Sequence, residues 1–164
     1  MTLAEKALRP RTAALLLAAA SLATIAGAWT YEWLGYLPCE LCHKERIPYY
    51  AAIGLAPALA FAAGQRPQAA KWGLVLLALL FAAGALLSVY HSGVELKIFE
   101  GPSDCSGAVS QPGNIGDFLE ALNKVKVVRC DQPSLWVLGL TLANWNIAIS
   151  AGLAALAGLA ARRA

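Results

Sequence analysis

The residues best suited to chemistry in this sequence are four cysteines, two of which, Cys39 and Cys42, form a Cys-x-x-Cys pair. Such a pair is typical of a thioredoxin-like redox motif or of half a zinc site. Here it lies beside Arg46 at the start of an uncharged run, where it can exchange electrons with a molecule dissolved in lipid. Cys105 and Cys130 lie together in one long polar segment. Two cysteine pairs on a membrane scaffold indicate a dithiol relay.

The composition indicates a membrane protein. Of the 164 residues, 59% are hydrophobic and 14% are charged, whereas a soluble domain has about 25% charged residues. Four runs without charge approach or exceed the roughly 20 residues of a spanning helix, at residues 12–31, 47–65, 72–90 and 132–161. We therefore predict one all-α membrane domain, a bundle of four transmembrane helices at about residues 12–33, 46–64, 72–91 and 135–160.

The first run has an alternative interpretation as a signal peptide. Three basic residues precede an apolar stretch that reaches Ala26-Gly27-Ala28, which resembles an A-x-A cleavage site. The apolar stretch is about 18 residues long, however, and a signal peptide usually has 7–15. The aromatic residues Trp29, Tyr31 and Trp33 then resemble an interfacial belt. We expect an uncleaved span.

Lysine and arginine predict the orientation of the chain. The two termini and the turn at residues 64–71 hold seven basic residues and one acid, a net charge of +6. The other side holds six basic residues and nine acids, a net charge of −3. The positive-inside rule therefore places both termini in the cytoplasm. All four cysteines then lie in outer loops, at about residues 34–45 and 92–133, where disulfides can persist.

The longer outer loop is predicted to contain a short amphipathic helix. Ile115, Phe118, Leu119 and Leu122 follow the spacing of one helical face. Such a helix can lie on the membrane surface or pack on the ends of the spans, and the sequence leaves both arrangements open.

The predicted spans contain few polar groups. Asn144 and Asn146 in the fourth span need partners inside the bundle, and we expect them to make structural hydrogen bonds rather than ligand contacts. Small residues such as Ala148 and Gly152 are expected to allow close helix packing.

The position of the Cys-x-x-Cys pair favours the thiolate. Pro38 suits the first position of a helix, and if the second span begins there, Cys39, Cys42 and Arg46 share one face. A helix N-terminus and a nearby cation both stabilise a thiolate, which is the reactive form in disulfide exchange.

Arg46 itself has two interpretations. An ionisable residue at the edge of a lipid-buried run indicates function, and a guanidinium can donate hydrogen bonds to a carbonyl oxygen that becomes negative as electrons arrive. Alternatively, the side chain extends to the lipid headgroups, paired with Glu45 or Glu32.

Metal binding and structural disulfides are the alternatives to redox chemistry. Four cysteines with His43 or His91 could bind zinc, but Cys105 and Cys130 do not form a second Cys-x-x-Cys and the outer side is oxidising, so we expect no metal. A bond within the Cys-x-x-Cys pair would close too small a loop to add much stability. A bond between the two loop cysteines would restrain a long loop and better suits a structural role.

The sequence around the first cysteine pair resembles that of a known family. Residues 37–46, Leu-Pro-Cys-Glu-Leu-Cys-His-Lys-Glu-Arg, are similar to the P-C-x-L-C-x-x-x-R signature of the disulfide bond formation protein B (DsbB) family. Four spans, internal termini and one cysteine pair in each outer loop match as well, over nearly the whole chain. The resemblance implies a bacterial inner-membrane enzyme that reduces a quinone, ubiquinone or menaquinone, and reoxidises a periplasmic DsbA-like thiol oxidase.

The resemblance also implies roles for single residues. It makes Cys39–Cys42 a redox-active disulfide facing the quinone and Cys105–Cys130 the disulfide that exchanges with the partner. His91 resembles a family histidine near the quinone, although a lone histidine at the end of a span is otherwise usually interfacial. From the polar surroundings of the third cysteine and the position of the fourth close to the last span, we predict the order of the relay. The partner attacks Cys105, Cys130 exchanges with Cys39, and Cys42 meets the quinone.

The sequence thus predicts a protein-dithiol:quinone oxidoreductase, with a long periplasmic loop that contains a short helix. One alternative is a vitamin K epoxide reductase-like protein, a family that usually places its quinone-facing Cys-x-x-Cys late in the chain. The other alternative is a non-enzymatic membrane protein with structural disulfides. No nucleotide or nucleic-acid motif is present, so the expected partners are the thiol oxidase, the quinone and the lipid bilayer.

Overall fold

Helices make up most of the chain in the computed structural model, which describes residues 2–102 and 128–164. The predicted helical membrane protein is confirmed in this coarse sense. Cys105 and the predicted amphipathic helix at residues 115–122 lie outside the described residues. The described elements are α1 Leu3–Ala7, α2 Pro10–Trp33, α3 Glu40–Glu45, α4 Ile47–Ala62, α5 Pro67–Glu95, β1 Trp136–Val137, β2 Leu140–Thr141 and α6 Leu142–Ala161.

Three helices in the described ranges, α2, α5 and α6, are long and apolar enough to cross a membrane. The predicted first and third spans lie within α2 and α5. In place of the predicted second span lies α4, with 16 residues. Its length is about 24 Å at 1.5 Å per residue, against about 30 Å for the hydrocarbon core. The count of four spans therefore stays a prediction that depends on α4.

The long helices begin at residues that tolerate or satisfy unpaired backbone donors. Pro10, Pro48 and Pro67 lie in the first turns of α2, α4 and α5. Proline is favoured there because the first turn has no partner for its N–H and its fixed φ suits a helix. At the start of α6, the Thr141 hydroxyl accepts a hydrogen bond of 3.3 Å from the Asn144 N–H, which caps the helix.

A small hairpin occupies the segment predicted to begin the last span. Strands β1 and β2 pair antiparallel, with Trp136 opposite Thr141 and Val137 opposite Leu140. The two turn residues, Leu138 and Gly139, have positive φ angles of 52° and 81°, as a tight two-residue hairpin turn requires. The helix thus begins at residue 142 instead of about 135, because this segment pairs with itself first.

The four longest described helices pack side by side. Helix α4 contacts α2 and α5, and α6 contacts α5 and α2. Small residues line the interior and let the backbones approach closely, among them the fully buried Ala13, Ala14, Ala52, Ala56 and Ala157. The residues named for this role, Ala148 and Gly152, are instead exposed on α6, and that part of the prediction is wrong. Large apolar side chains such as Leu22, Phe61, Leu79 and Leu86 are exposed on the outside, as expected for helices whose solvent is lipid.

Candidate functional site

The Cys-x-x-Cys pair lies at the N-terminus of the short helix α3. Cys39 is its N-cap residue, in an extended conformation with φ −81° and ψ 173°. Its Sγ accepts a hydrogen bond of 3.2 Å from the Cys42 N–H. A short helix therefore begins at Glu40, within the segment predicted as an outer loop, because a sulfur at the cap satisfies one of the free backbone donors of the first turn.

The two sulfurs are close but not bonded. Cys39 and Cys42 are free cysteines, and their Sγ atoms are 2.7 Å apart, longer than the roughly 2.05 Å of a disulfide. Cys39 is buried, with 5% of its surface exposed, and Cys42 is half-buried. The pair is thus unbonded in this structure, and the Cys39–Cys42 disulfide that the resemblance implies stays a prediction.

Hydrogen bonding makes the two thiols unequal. The Cys42 thiol, as donor, is the main cause that lowers the pKa of Cys39 from 9.0 to about 4. Burial opposes this shift, and a hydrogen bond with His91 adds to it. The same sulfur–sulfur hydrogen bond, followed by burial, raises the pKa of Cys42. In the dithiol form the thiolate therefore lies on Cys39, while Cys42 keeps its proton. The cation that helps to stabilise the Cys39 thiolate is His91, whereas the sequence suggested Arg46 for this role.

His91 joins the cysteine to a buried carboxylate. Its Nε2 lies 3.5 Å from Cys39 Sγ, and its Nδ1 donates a hydrogen bond of 2.9 Å to Glu45 Oε1. His91 is 3% exposed and Glu45 is 6% exposed. The carboxylate selects the tautomer and orientation that direct Nε2 toward the sulfur, as in other carboxylate–histidine pairs. The family resemblance implied a role for His91 near the quinone, and the structure places this residue in contact with the cysteine pair.

Glu45 is held in turn by residues of other helices. Its Oε2 accepts a hydrogen bond of 3.3 Å from Asn146 Nδ2, which also donates to Ser88 Oγ at 2.7 Å. The Tyr49 hydroxyl donates a short hydrogen bond to Asn146 Oδ1. Asn144 similarly accepts a bond of 2.8 Å from Ser92 Oγ. The asparagines thus form the expected hydrogen bonds between helices, but Asn146 also supports the site.

Sequence reasoning treated Glu45 only as a candidate partner for Arg46 and so missed its contact with His91. A signal was present, because an acid bordering a lipid-buried run is itself an indication of function. Its partner was not identifiable, since His91 lies 46 residues further along the chain.

Arg46 lies at the junction between α3 and α4 and pairs with Glu32 at the end of α2. This is one of the two pairings that the sequence suggested. Both side chains are largely buried, at 12% and 28% exposure. The ion pair therefore does not carry Arg46 out to open solvent, and the guanidinium borders the same cavity as the cysteines.

A cavity connects these groups. Its lining includes both cysteines of the pair, Glu45, Arg46 and His91, and continues along an apolar wall from α2. Glu95 also lines it, and its Oε2 atom has no hydrogen-bond partner among the described residues. The site thus combines a thiolate, a guanidinium and a carboxylate at one apolar opening.

Comparison with known proteins decides the family. The family model of disulfide bond formation protein DsbB matches residues 10–160. The chain belongs to the DsbB family. The match spans the cysteine pair, the site around it and all four long helices, so the chain is a membrane oxidoreductase of disulfide-bond formation. It favours this family over the vitamin K epoxide reductase-like alternative.

A relative among curated proteins is uncharacterised. The chain is 27% identical over 148 residues to the uncharacterized protein RP370 of Rickettsia prowazekii (strain Madrid E), covering 88% of this chain and 84% of that protein. No solved structure matches this chain.

In this DsbB-family chain, Cys130 lies close to the Cys-x-x-Cys pair. Cys130 is 1% exposed and belongs to one buried cluster with Cys39, Leu41 and Val94. It is disulfide-bonded, whereas Cys39 and Cys42 are free. Its predicted partner, Cys105, lies outside the described residues, so that pairing stays a prediction.

The unequal thiols predict a pH titration. In the reduced chain carrying Cys105→Ser and Cys130→Ser, ultraviolet thiolate absorbance should persist at neutral pH and disappear as the pH falls through about 4, because the lowered pKa keeps Cys39 ionised above that value. Cys42→Ala should move the midpoint upward, since it removes the main donor. Cys42→Ser should move it less, because a hydroxyl can still donate. A midpoint near 9 in the parent chain would contradict the assignment.

Proposed function

We propose that this chain is a protein-dithiol:quinone oxidoreductase that keeps a soluble periplasmic DsbA-like protein in its disulfide form. The observation that supports this most strongly is the position of Cys39. It borders the cavity with Arg46 and also belongs to the buried cluster that contains Cys130. A sulfur in this position can receive electrons from a loop cysteine and pass them toward a lipid-soluble acceptor. A purely structural cysteine has no need of a lowered pKa.

The groups that line the cavity suit the binding of a quinone. Its wall from α2 includes Ala23, Ile25 and Gly27, which offer an apolar surface to a ring. The Arg46 guanidinium is a planar donor for a carbonyl oxygen. The unpartnered Glu95 Oε2 can accept a hydrogen bond from a hydroxyl. A bound quinone would accept two electrons and two protons and leave as the quinol.

The proposed exchange proceeds from the loop to the membrane. A partner thiolate attacks Cys105, which forms a mixed disulfide and releases Cys130 as a thiolate. Cys130 attacks the Cys39–Cys42 disulfide at Cys39, so that Cys42 leaves as a thiolate. The second partner thiol displaces Cys105, and Cys105 then re-forms its bond to Cys130 and releases Cys39. The partner thus loses two electrons and two protons and becomes a disulfide.

The inequality of the two thiols suits this order. The hydrogen bond between Cys42 and Cys39 is the main cause that raises the pKa of Cys42. That cause disappears once Cys39 is bonded to Cys130, so Cys42 becomes a better thiolate at the step where it must face the quinone. When Cys39 is released, it regains the thiolate form, and the pair is again the dithiol that delivers electrons.

The central test is an anaerobic mixture of the purified chain, a reduced DsbA-like protein and a soluble quinone, followed at the quinone absorbance. The parent chain should reduce quinone with one dithiol consumed per quinol. Cys39→Ser and Cys42→Ser should abolish this while the helices stay folded. In Cys42→Ser, the remaining Cys39 should form a bridge to Cys130, which mass spectrometry can map.

The matched control for this test is His43→Gln, an exposed position in the same short helix. It should keep the activity of the parent chain. A folded parent chain that consumes no thiol and forms no quinol would contradict the proposed function. The absence of a Cys39–Cys130 bridge under trapping conditions would contradict only the order of exchange.

Arg46 is proposed to hold a quinone carbonyl. Arg46→Lys keeps the charge but loses the planar guanidinium. The KM for quinone should therefore rise about tenfold or more, because a hydrogen bond to a charged group contributes about 1.5–3 kcal/mol. The KM for the thiol partner should change little. Glu32→Gln is the control, because it breaks the ion pair and keeps the guanidinium. Equal changes of the quinone KM in both variants would assign Arg46 to the ion pair alone.

The proposal places four spans in a bacterial inner membrane, with α4 as the short second span and both termini in the cytoplasm. The net charge of +6 on the terminal side motivates this orientation. A reporter enzyme that is active only in the periplasm should be inactive when fused after Ala164 and active when inserted after Gly101. Activity at Ala164 would contradict the orientation.

A further inference from the structure

Three metal-binding side chains converge in the reduced site. Cys39 Sγ, Cys42 Sγ and His91 Nε2 all lie within 4.8 Å of one another. Thiolate sulfur and imidazole nitrogen are the ligands that zinc-class cations prefer. The sequence argued against zinc because the loop cysteines do not form a second Cys-x-x-Cys, and it could not show that His91 contacts the first pair. The histidine reaches the pair from α5, 52 residues away.

The surroundings of His91 match those of a metal ligand. A histidine that binds a metal almost always donates its other ring N–H to a carboxylate or carbonyl, which fixes the ring. Here Nδ1 donates to Glu45 at 2.9 Å, and Asn146 holds the second carboxylate oxygen. The other ring nitrogen, Nε2, lies 3.5 Å from Cys39 Sγ and is thus directed at a second ligand atom.

We propose that Cys39, Cys42 and His91 form a Cys2His site for a thiophilic divalent cation of the zinc class when both sulfurs are reduced. The cavity that borders both cysteines gives access and space for a water or anion in the fourth position. Two thiolates balance the charge of the cation, which suits a buried position. The site goes beyond the proposed electron transfer and does not depend on it.

The present distances require one small adjustment. Around a tetrahedral ion with Zn–S bonds of about 2.3 Å and Zn–N bonds of about 2.0 Å, two sulfurs lie about 3.8 Å apart and a sulfur and a nitrogen about 3.5 Å. The Cys39–His91 distance is already 3.5 Å. The two sulfurs, at 2.7 Å, must separate by about 1 Å, and the half-buried Cys42 side chain borders the cavity into which it can rotate.

The cation and the disulfide exclude each other. Oxidation of the pair uses both sulfurs in one covalent bond and leaves no thiolate to bind a metal. A bound cation conversely occupies both sulfurs and prevents their attack on another disulfide. The cation would therefore hold the chain in its dithiol form and release it when the cation is removed.

The test is equilibrium binding of Zn²⁺ and Co²⁺ to the reduced, full-length chain in detergent, with Cys105→Ser and Cys130→Ser so that loop sulfurs do not contribute. We expect one cation per chain, with the sulfur-to-cobalt charge-transfer bands and intense visible bands of a tetrahedral cobalt site. Oxidation of the remaining pair to its disulfide should abolish binding.

Variants separate this site from adventitious binding. His91→Gln should abolish the tetrahedral cobalt spectrum, and Glu45→Gln should weaken the affinity about 10- to 100-fold, as loss of such a supporting carboxylate does elsewhere. His43→Gln, at an exposed position of α3, should bind as the parent does. Circular dichroism checks that each variant is folded.

Three results would overturn the proposal: binding of less than one cation per chain, binding that survives oxidation of the pair, or binding that is unchanged in folded His91→Gln. Because the readout is binding without quinone or partner, its failure leaves the proposed oxidoreductase intact. Conversely, a chain that binds the cation but reduces no quinone would retain the metal site and lose the proposed function.

Discussion

The hydrogen bond between His91 and Glu45 is the interaction on which the rest of the site depends. Both side chains are almost fully buried, so the loss of a hydrogen-bond partner is costly for either of them. The bond fixes the imidazole against Cys39, and the carboxylate is fixed in turn by Asn146. Loss of any member leaves a buried polar group without a partner, which is costly in an apolar setting.

This network also joins the helices that form the site. Glu45 ends α3, His91 lies near the end of α5, and Asn146 lies in the first turns of α6. Tyr49 adds α4 through its hydrogen bond to Asn146. The polar groups thus bring four elements to one point, while the alanine-rich interior further along the bundle holds the same helices together by close packing. The two halves of the bundle therefore use different forces.

The helix cap at Cys39 shows how local geometry directs chemistry. Because the chain is extended at this residue, its sulfur turns back toward the N-terminus of α3 and meets the Cys42 N–H and thiol. A serine or aspartate would cap the helix equally well, but would supply no redox sulfur. The capping position and the reactive position coincide, so the residue that starts the helix is also the one whose proton is most easily lost.

Much of this protein can be predicted from its sequence, because the relevant signals are local. The apolar runs predict α2 and α5 closely, the Pro-Cys-x-x-Cys segment predicts the reactive pair, and the basic residues predict an orientation. The hairpin at residues 136–141 was not predicted, because its apolar residues extend the uncharged run of the last helix and disguise its turn. Helix α3 begins two residues after Pro38, the start that a shared face of Cys39, Cys42 and Arg46 presupposed, because proline before a cap and proline in a first turn look the same in sequence.

The sequence by itself determined the class of protein, the positions of most helices and the residues that carry sulfur chemistry. Hydropathy and cysteine spacing are local properties that can be read directly from the sequence. Only the tertiary structure decided which groups surround those sulfurs. The contacts of Cys39 with His91, of His91 with Glu45 and of Glu45 with Asn146 join residues 52, 46 and 101 positions apart. Such contacts follow from how the helices pack, and no local pattern specifies which polar side chains a bundle will bring together in its interior.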